Sequence, residues 1–387
     1  MRKYKLKEIS SIYNGSTPST SDVSNYDGDI IWITPKDLSN QKSKYISKGE
    51  RNITEKGYKS CSTTMLPKGT ILLSSRAPIG LLAIAKIELC TNQGFKNIVP
   101  QNEFVDNNYL YYLLSLKIKE IEALGSGTTF KEVSKTSLEN YEINIHDIAE
   151  QQKIANTLNV IDDKIALNNK INNELEQIAK TLYEYWFVQF DFPDEKGRPY
   201  KSANGKMVYN EVLKREIPDG WEVKNIFDVL DIQYGYPFNT ELFTGNKGYS
   251  VVRIRDILTN SISAHTVEKA DGKYKLHEGD LLIGMDGNFH MNYWNETGAY
   301  LNQRCVRIRC KKGTPLSVIQ AKYSLEPFIK KREQNISRTT VGHLSDKDFK
   351  SQYILVPKIN PYFNPKKAFE CILYKITNNN NEIKKLV

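Results

Sequence analysis

Residues 66–102 align without a gap on residues 276–312, and this self-similarity restricts the possible folds more than any other property of the chain. The offset is 210, which places Leu66 on Leu276, Gly69 on Gly279 and Asn92-Gln93 on Asn302-Gln303. Upstream, 32–40 matches 252–260 with a one-residue gap, Lys36-Asp37 standing opposite Arg255-Asp256 at an offset of 219. Both copies open alike, Tyr4-Lys-Leu-Lys-Glu-Ile9 against Trp221-Glu-Val-Lys-Asn-Ile226. Downstream, Thr128-Thr129 falls on Thr339-Thr340 and Ile143 on Ile354, at an offset of 211. A unit of that length can bury a core of its own, so the sequence encodes one globular unit twice.

Inside each copy the signals are short. The runs Ile30–Thr34, Thr70–Ser74 and Leu81–Ile87 are apolar and β-branched and are bounded by Gly, Pro and Asn, the punctuation of strands. A helical stretch, Tyr109 to Leu124, follows, and each copy reads as a mixed α/β globule with a curved sheet. From Asp147 the period changes. Ile154, Leu158, Ile161 and Ile165 alternate four and three apart, and Ile171, Leu175, Ile178, Leu182 and Tyr185 come after them. That is a heptad-type seam, interrupted by Asn168, Asn169, Asn172 and Asn173. Asp147 with Glu150 three residues later marks its start.

The second copy ends the same way. Ile372, Ile376, Asn379, Ile383 and Leu386 fall on Ile161, Ile165, Asn168, Asn172 and Leu175, and Asn364-Pro365 supplies an N-cap and a first-turn proline. A two-part repeat can relate its halves as a twofold dimer relates its subunits, so the equivalent helices are expected to pair antiparallel about an axis near Asn168 and Asn379. Ile161 would then face Leu386, Ile165 would face Ile383, and Leu175 would face Ile372. The expected fold class is α+β, with two mixed α/β domains at 1–146 and 216–360. Between them lie a helical spacer, 147–192, and a polar linker, 193–215; a shortened second helix, 361–387, completes a long antiparallel coiled-coil-like pair.

The net charge of +9 follows the same division: +4 over 1–146, −1 over 147–215 and +6 over 216–387. Basic blocks attract polyanions, although many proteins with no such partner are equally basic. No apolar run follows the basic N-terminus, and the longest apolar stretch, Ala77–Ala85, is far too short for a bilayer, so no membrane association is expected. Five cysteines without CxxC pairing fit a reduced, cytoplasmic protein with no structural zinc, and the five histidines show no ligand spacing.

A set of short strings occurs in fixed order along the chain. In the first copy they are Gly15-Ser-Thr-Pro18, Trp32-Ile-Thr-Pro-Lys-Asp37, Ser75-Arg-Ala-Pro-Ile-Gly80 and Glu150-Gln-Gln-Lys-Ile154. In the second they are Ile217-Pro-Asp-Gly-Trp221, Gly284-Met-Asp-Gly287 and Leu301-Asn-Gln-Arg304. Together with the repeat, over essentially the whole chain, they resemble the specificity subunit of type I restriction-modification systems. The resemblance implies two target-recognition domains, each reading one half of a split, asymmetric double-stranded DNA target. It also implies helices that dock two methyltransferase subunits, with restriction/motor subunits as further partners. S-adenosylmethionine, ATP and Mg2+ would lie on those partners, leaving this chain without cofactor or metal. One departure is visible: after Leu386 nothing in the second copy matches 176–190.

Three strings imitate catalysis. Asn360-Pro-Tyr-Phe363 resembles the base-holding loop of adenine methyltransferases but lacks its second proline. Gly125-Ser-Gly127 follows a helix-like stretch where a methyl-donor loop needs a strand. Pro193-Asp194 with Glu222-Val-Lys224 has the residue types of a metal-dependent nuclease, in pieces common to linkers and strand starts. DNA contacts are the better use of the polar residues. Arg76, beside Ser75 at a strand-to-loop edge, suits bidentate pairing with guanine, against the plain alternative of a surface ion pair. Gln93 and Gln303 suit adenine, yet a residue shared by both copies can serve the fold, because different half-sites need different readers. Thr128, Thr129, Thr339 and Thr340 suit phosphate, as do Lys36 and Arg255; Arg253 and Asp286 are candidate base readers, and Arg304 and Arg338 complete the set. The helical seam is expected to pair helices, leaving partner docking to other faces that include Tyr183, Tyr185, Trp186 and Phe187; packing of these aromatics on the chain's own domain is the alternative. Two other functions stay open: a self-sufficient methyltransferase or nuclease, and an orphan scaffold that binds partners without DNA.

Overall fold

A computed structural model describes residues 1–39, 41, 43–126, 131–334 and 342–387. It divides into two compact units, Met1–Ala166 and Leu167–Val387. In the first, β1 (Ser10–Asn14), β2 (Tyr45–Ile46), β3 (Ile71–Ser75), β4 (Ile79–Ala85) and β5 (Phe95–Pro100) form one sheet in the order β1-β5-β3-β4-β2. All neighbours are antiparallel except the parallel pair β4-β2. Alternation along β3 explains why the sheet is buried on both sides: Ile71 and Leu73 enter one core with Ile84 and Ile98, while Leu72 enters another with Ala83 and Phe95. Helix α1 (Asn107–Leu116), capped by the Asp106 carboxylate accepting from the Tyr109 N–H at 2.9 Å, covers the first face with Tyr109, Leu110 and Leu114.

The second unit repeats this plan. Strands β6 (Leu230–Tyr234), β7 (Leu281–Gly284), β8 (Met291–Tyr293) and β9 (Cys305–Cys310) are ordered β6-β9-β7-β8, the counterpart of β1-β5-β3-β4. Leu281 and Ile283 again face one core and Leu282 another. The antiparallel pair Arg2–Lys5 with Glu142–Ile145 has its counterpart in Glu222–Asn225 with Tyr353–Val356. The parallel pair Trp32–Ile33 with Cys90–Thr91 recurs as Val251–Val252 with Tyr300–Leu301.

Helix α2 (Ile148–Tyr183) contains the boundary between the units. It begins where expected, with the Asp147 carboxylate accepting the Glu150 N–H at 3.0 Å, and ends in a π-helical turn, Glu184–Val188. Its most buried positions are Gln151, Ala155, Asn168, Asn172 and Ala179. The asparagines therefore do not interrupt the seam: steps of three and four from Ile165 lead through Asn168, Asn172, Leu175 and Ala179, while Ile171, Ile178 and Tyr185 fall on an exposed face. Helix α3 (Val318–Gln334) belongs to the second globule, and α4 (Pro365–Leu386) starts at Asn364, whose carboxamide accepts the Lys367 N–H at 3.1 Å.

Within the second unit α4 runs antiparallel to the later part of α2. Asn168 donates to Glu382 at 2.8 Å, and Asn172 donates to Asn380 at 2.7 Å while accepting from Asn379 at 2.9 Å. The direction matches the expectation and the register does not. Asn168 meets Glu382 rather than Asn379, a slip of nearly one turn, because in this register the Asn172 carboxamide satisfies both its donor and its acceptor. Leu175 and Ala179 share a core with Ile372 and Ile376.

The segment expected as a polar linker is folded. Met207–Asn210 pairs with Arg215–Pro218 as a hairpin, and Phe192, Tyr200, Met207 and Leu213 pack on the second core. The aromatics after α2 do the same: Trp186 lies edge-on to Phe363 and Phe187 is buried against Trp221 and Phe369. No helix among the described residues is long and apolar enough to cross a membrane.

Candidate nucleic-acid interface

Where β3 ends, three segments of the first unit converge. Ser75 donates its N–H to the Gly94 carbonyl at 2.8 Å, and Val133 donates to the Ser75 carbonyl at 3.0 Å. In the second unit Met285 donates to the Arg304 carbonyl at 2.8 Å and Leu344 to the Met285 carbonyl at 2.9 Å. The offsets are those of the sequence repeat, so the same corner is built twice.

At the first corner Arg76 is half-exposed, with Nη1 3.9 Å from Glu132 Oε2. Glu132 also accepts from Lys96 Nζ at 2.9 Å, and the Lys96 side chain is only 7% exposed. Burial pushes the Glu132 carboxyl up, but the Lys96 hydrogen bond and the charges of Lys96 and Arg76 outweigh it and hold the group below the usual carboxylate range. Ser75, by contrast, is fully buried, and its hydroxyl donates to the Gly94 carbonyl at 3.2 Å. Gln93 is exposed and accepts from the Thr17 hydroxyl. Lys36 is exposed and ion-paired to Glu50 at 2.6 Å, beside an open depression of about 610 Å³ that Lys48 also lines.

At the second corner Gln303 and Arg304 are exposed. Arg304 has φ of 66°, a left-handed conformation that side chains rarely adopt. Its Nε lies 3.5 Å from Asp286 Oδ2, and His343 Nδ1 lies 2.6 Å from Asp286 Oδ1. Arg304 Nη1 is also 3.2 Å from His343 Nδ1, but an Nδ1 that donates to the carboxylate cannot accept from the guanidinium, so Asp286 is the partner of both. Arg255 is exposed, forms no ion pair among the described residues, and lines an open depression of about 430 Å³ with Arg253, His290, Gln303 and Arg304. Arg253 is engaged within its own unit. Its guanidinium donates to the Ser263 carbonyl at 2.9 Å and hydroxyl at 2.7 Å and faces the buried Asp256. Thr128, Thr129, Arg338, Thr339 and Thr340 lie outside the described residues.

Sequence reasoning missed Lys96, Glu132 and His343. Glu132 and His343 stand opposite each other at the offset of 211 that aligns the threonine pairs, which is the signal that could have found them.

Two of the three catalytic look-alikes have structural duties, while Gly127 of the third lies outside the described residues. Asn360 Oδ1 accepts the N–H groups of Tyr362 and Phe363 in a turn, and Phe363 is buried against Phe192 and Trp221, not held open for a base. Asp194 accepts the N–H groups of Lys196 and Arg198 and pairs with the Arg198 guanidinium at 2.9 Å, while Glu222 pairs with Lys224 at 2.7 Å. Among the described residues no three His, Cys, Asp or Glu side chains are grouped to hold a metal ion. Both corners instead offer guanidinium forks, whose geometry suits base edges and phosphates.

Residues 1–177 and 218–385 match the family described as type I restriction modification DNA specificity domain. The chain is 37% identical, over 98% of its length and 88% of the relative's, to the type I restriction enzyme MjaIX specificity subunit of Methanocaldococcus jannaschii. It is 28% identical to the type I restriction enzyme EcoBI specificity subunit of Escherichia coli, over 37% of this chain and 30% of that one. Its fold is similar to the crystal structure of a type I restriction-modification S subunit from M. genitalium, with a TM-score of 0.58 at 16% identity, covering 100% of this chain and 92% of that one.

Proposed function

The chain belongs to the family of type I restriction-modification DNA specificity subunits, and on that premise we propose that it is a non-catalytic subunit that selects a bipartite double-stranded DNA target for methyltransferase partners. The observation that carries this reading is the duplicated corner: the same backbone junction is built in each repeat, and each carries a solvent-accessible guanidinium, half-exposed Arg76 in one and exposed Arg304 in the other. Two copies of one fold with different side chains at that corner suit two half-sites of different sequence. Two methyltransferase subunits, and restriction/motor subunits with them, would supply S-adenosylmethionine, ATP and Mg2+ chemistry in the cytoplasm. Leu167, Ile171 and Ile178 on α2 and Tyr185 in the turn that ends it, exposed at steps of four and seven, form an apolar stripe suited to that docking.

Exchanging residues 216–360 for the corresponding segment of a relative, followed by mapping of methylated sites in a host carrying the whole gene cluster, tests the assignment. One half of the target should change and the other persist. A change in both halves, or in neither, rejects the two-reader scheme. Methylation by the purified chain alone would favour a self-sufficient enzyme, and assembly with methyltransferase but no DNA binding would favour a scaffold.

A further inference from the structure

The two corners contain the same three kinds of group built from positions that do not correspond. In the first, Arg76 approaches Glu132, which Lys96 holds from the other side. In the second, Arg304 approaches Asp286, which His343 holds from the other side. By the repeat offsets Arg76 stands where the second unit has Asp286, and Glu132 where it has His343; Arg304 stands where the first unit has Gly94. The paired positions thus exchange an arginine for an acid and an acid for a base, yet each corner still holds one arginine, one carboxylate and one further base, buried Lys96 in the first and exposed His343 in the second. A constraint from folding alone would favour the same residues at the same positions. Rebuilding the set from other positions points to a shared chemical task with a different placement.

We propose that each recognition domain reads one guanine with a single arginine aimed by a carboxylate, Arg76 aimed by Glu132 in the first and Arg304 aimed by Asp286 in the second, with Lys96 and His343 fixing those carboxylates. This assignment rests on the DNA-reading function proposed above. The guanidinium-to-carboxylate distances, 3.9 Å and 3.5 Å, are longer than good hydrogen bonds, so the charges attract while the N–H donors stay unspent. The fork that remains fits the O6 and N7 acceptors of guanine in the major groove. The carboxylates, by contrast, are held at hydrogen-bond length, 2.9 Å by Lys96 and 2.6 Å by His343, which limits where each arginine can point before DNA arrives. Arg304 also sits in left-handed backbone, the type of local strain that persists at functional positions when surrounding structure enforces it. Glu132, Asp286, Lys96 and His343 are positioning residues in this scheme.

The test uses the full chain assembled with its methyltransferase subunits and a library of double-stranded oligonucleotides, read by selection of bound sequences. The wild-type complex should select a guanine at one position in each half-site. Arg76→Gln should lower discrimination at one position of one half-site by about 5- to 150-fold, and Arg304→Gln should do so only in the other half-site. Arg304→Lys, which keeps charge but loses the fork, should retain more affinity for random DNA than Arg304→Gln while discriminating as poorly. Glu132→Gln and Asp286→Asn should weaken discrimination at the same positions without moving them. Thermal unfolding of each variant separates these effects from misfolding, and both arginines are exposed enough for glutamine to be tolerated. Equal loss of binding to all sequences on replacing either arginine would make it a phosphate contact and overturn the inference. So would unchanged selection. A wild-type complex that selects no sequence would reject the DNA-reading function itself, a result distinct from a selective complex indifferent to Arg76 and Arg304.

Discussion

Replacing Phe187 by alanine decides whether the turn that ends α2 is part of a core or a face kept for partners. The Phe187 side chain is 1% exposed, and its ring lies 5.4 Å from Tyr183, 5.3 Å from Trp221 and 6.2 Å from Phe369, centre to centre. Phenylalanine-to-alanine changes in packed cores cost about 3–5 kcal/mol, through lost burial and the cavity left behind; aromatic contacts contribute about 0.5–1.5 kcal/mol of such a loss. A domain of this size shifts its melting temperature by roughly 2–4 °C per kcal/mol, so a fall of roughly 6–20 °C is expected. Intrinsic fluorescence reports the right unit, because Trp186, Trp221 and Trp294 lie in it and Trp32 alone lies in the other. Tyr185, two residues earlier and 37% exposed, is the control: Tyr185→Ala should cost less than about 1 kcal/mol. A loss below about 1 kcal/mol for Phe187→Ala as well would refute the packing account and return the aromatic turn to the candidate docking surface.

The exposed stripe on α2 makes the opposite prediction: Ile171→Asp with Ile178→Asp should leave thermal stability nearly unchanged and weaken assembly with the methyltransferase, measured by size-exclusion chromatography of the mixed subunits. Unimpaired assembly would exclude that face. Asn172→Leu should destabilise the α2–α4 pair by about 1–3 kcal/mol in denaturant melts, because the Asn379 donor and the Asn380 acceptor lose their partner in a buried seam; a neutral outcome would mean that those amides find water or each other. The Glu132 carboxyl titrates below its unfolded value, near 4.3, so the stability it contributes is present above that pH and is lost as pH falls through its folded value. Glu132→Gln should therefore destabilise the first unit at neutral pH, and the gap to wild type should close on acidification below about pH 4. A gap independent of pH would assign the effect to packing instead of charge.

Much of this molecule is local in origin and therefore legible in the sequence. The repeat offset carries over into the same strand order in both units, since two similar strings of apolar and turn residues face the same packing problem. Both long helices start at the side chains that cap them, Asp147 and Asn364, because a cap acts within one turn of chain. The family motifs, being strings, were readable too. Tertiary structure decided whatever depended on a partner far along the chain. The helix register turned on whether one carboxamide, Asn172, could satisfy both its ends against α4, and apolar periodicity does not encode that choice. The segment 193–215 looked polar, yet Tyr200, Met207 and Leu213 supply enough apolar surface to fold it onto a core assembled mostly from residues after 216. At the candidate interface, Ser75 and Arg76 are neighbours with opposite fates: β3, buried on both faces, encloses the first, and the loop beyond β3 releases the second. The carboxylates that aim the arginines come from 56 and 18 positions away, Glu132 to Arg76 and Asp286 to Arg304. Strand pairing brings Asp286 to Arg304 in one unit, and the return of the last segment to the sheet brings Glu132 to Arg76 in the other, because a Coulomb contact depends on distance in space and not on separation in sequence.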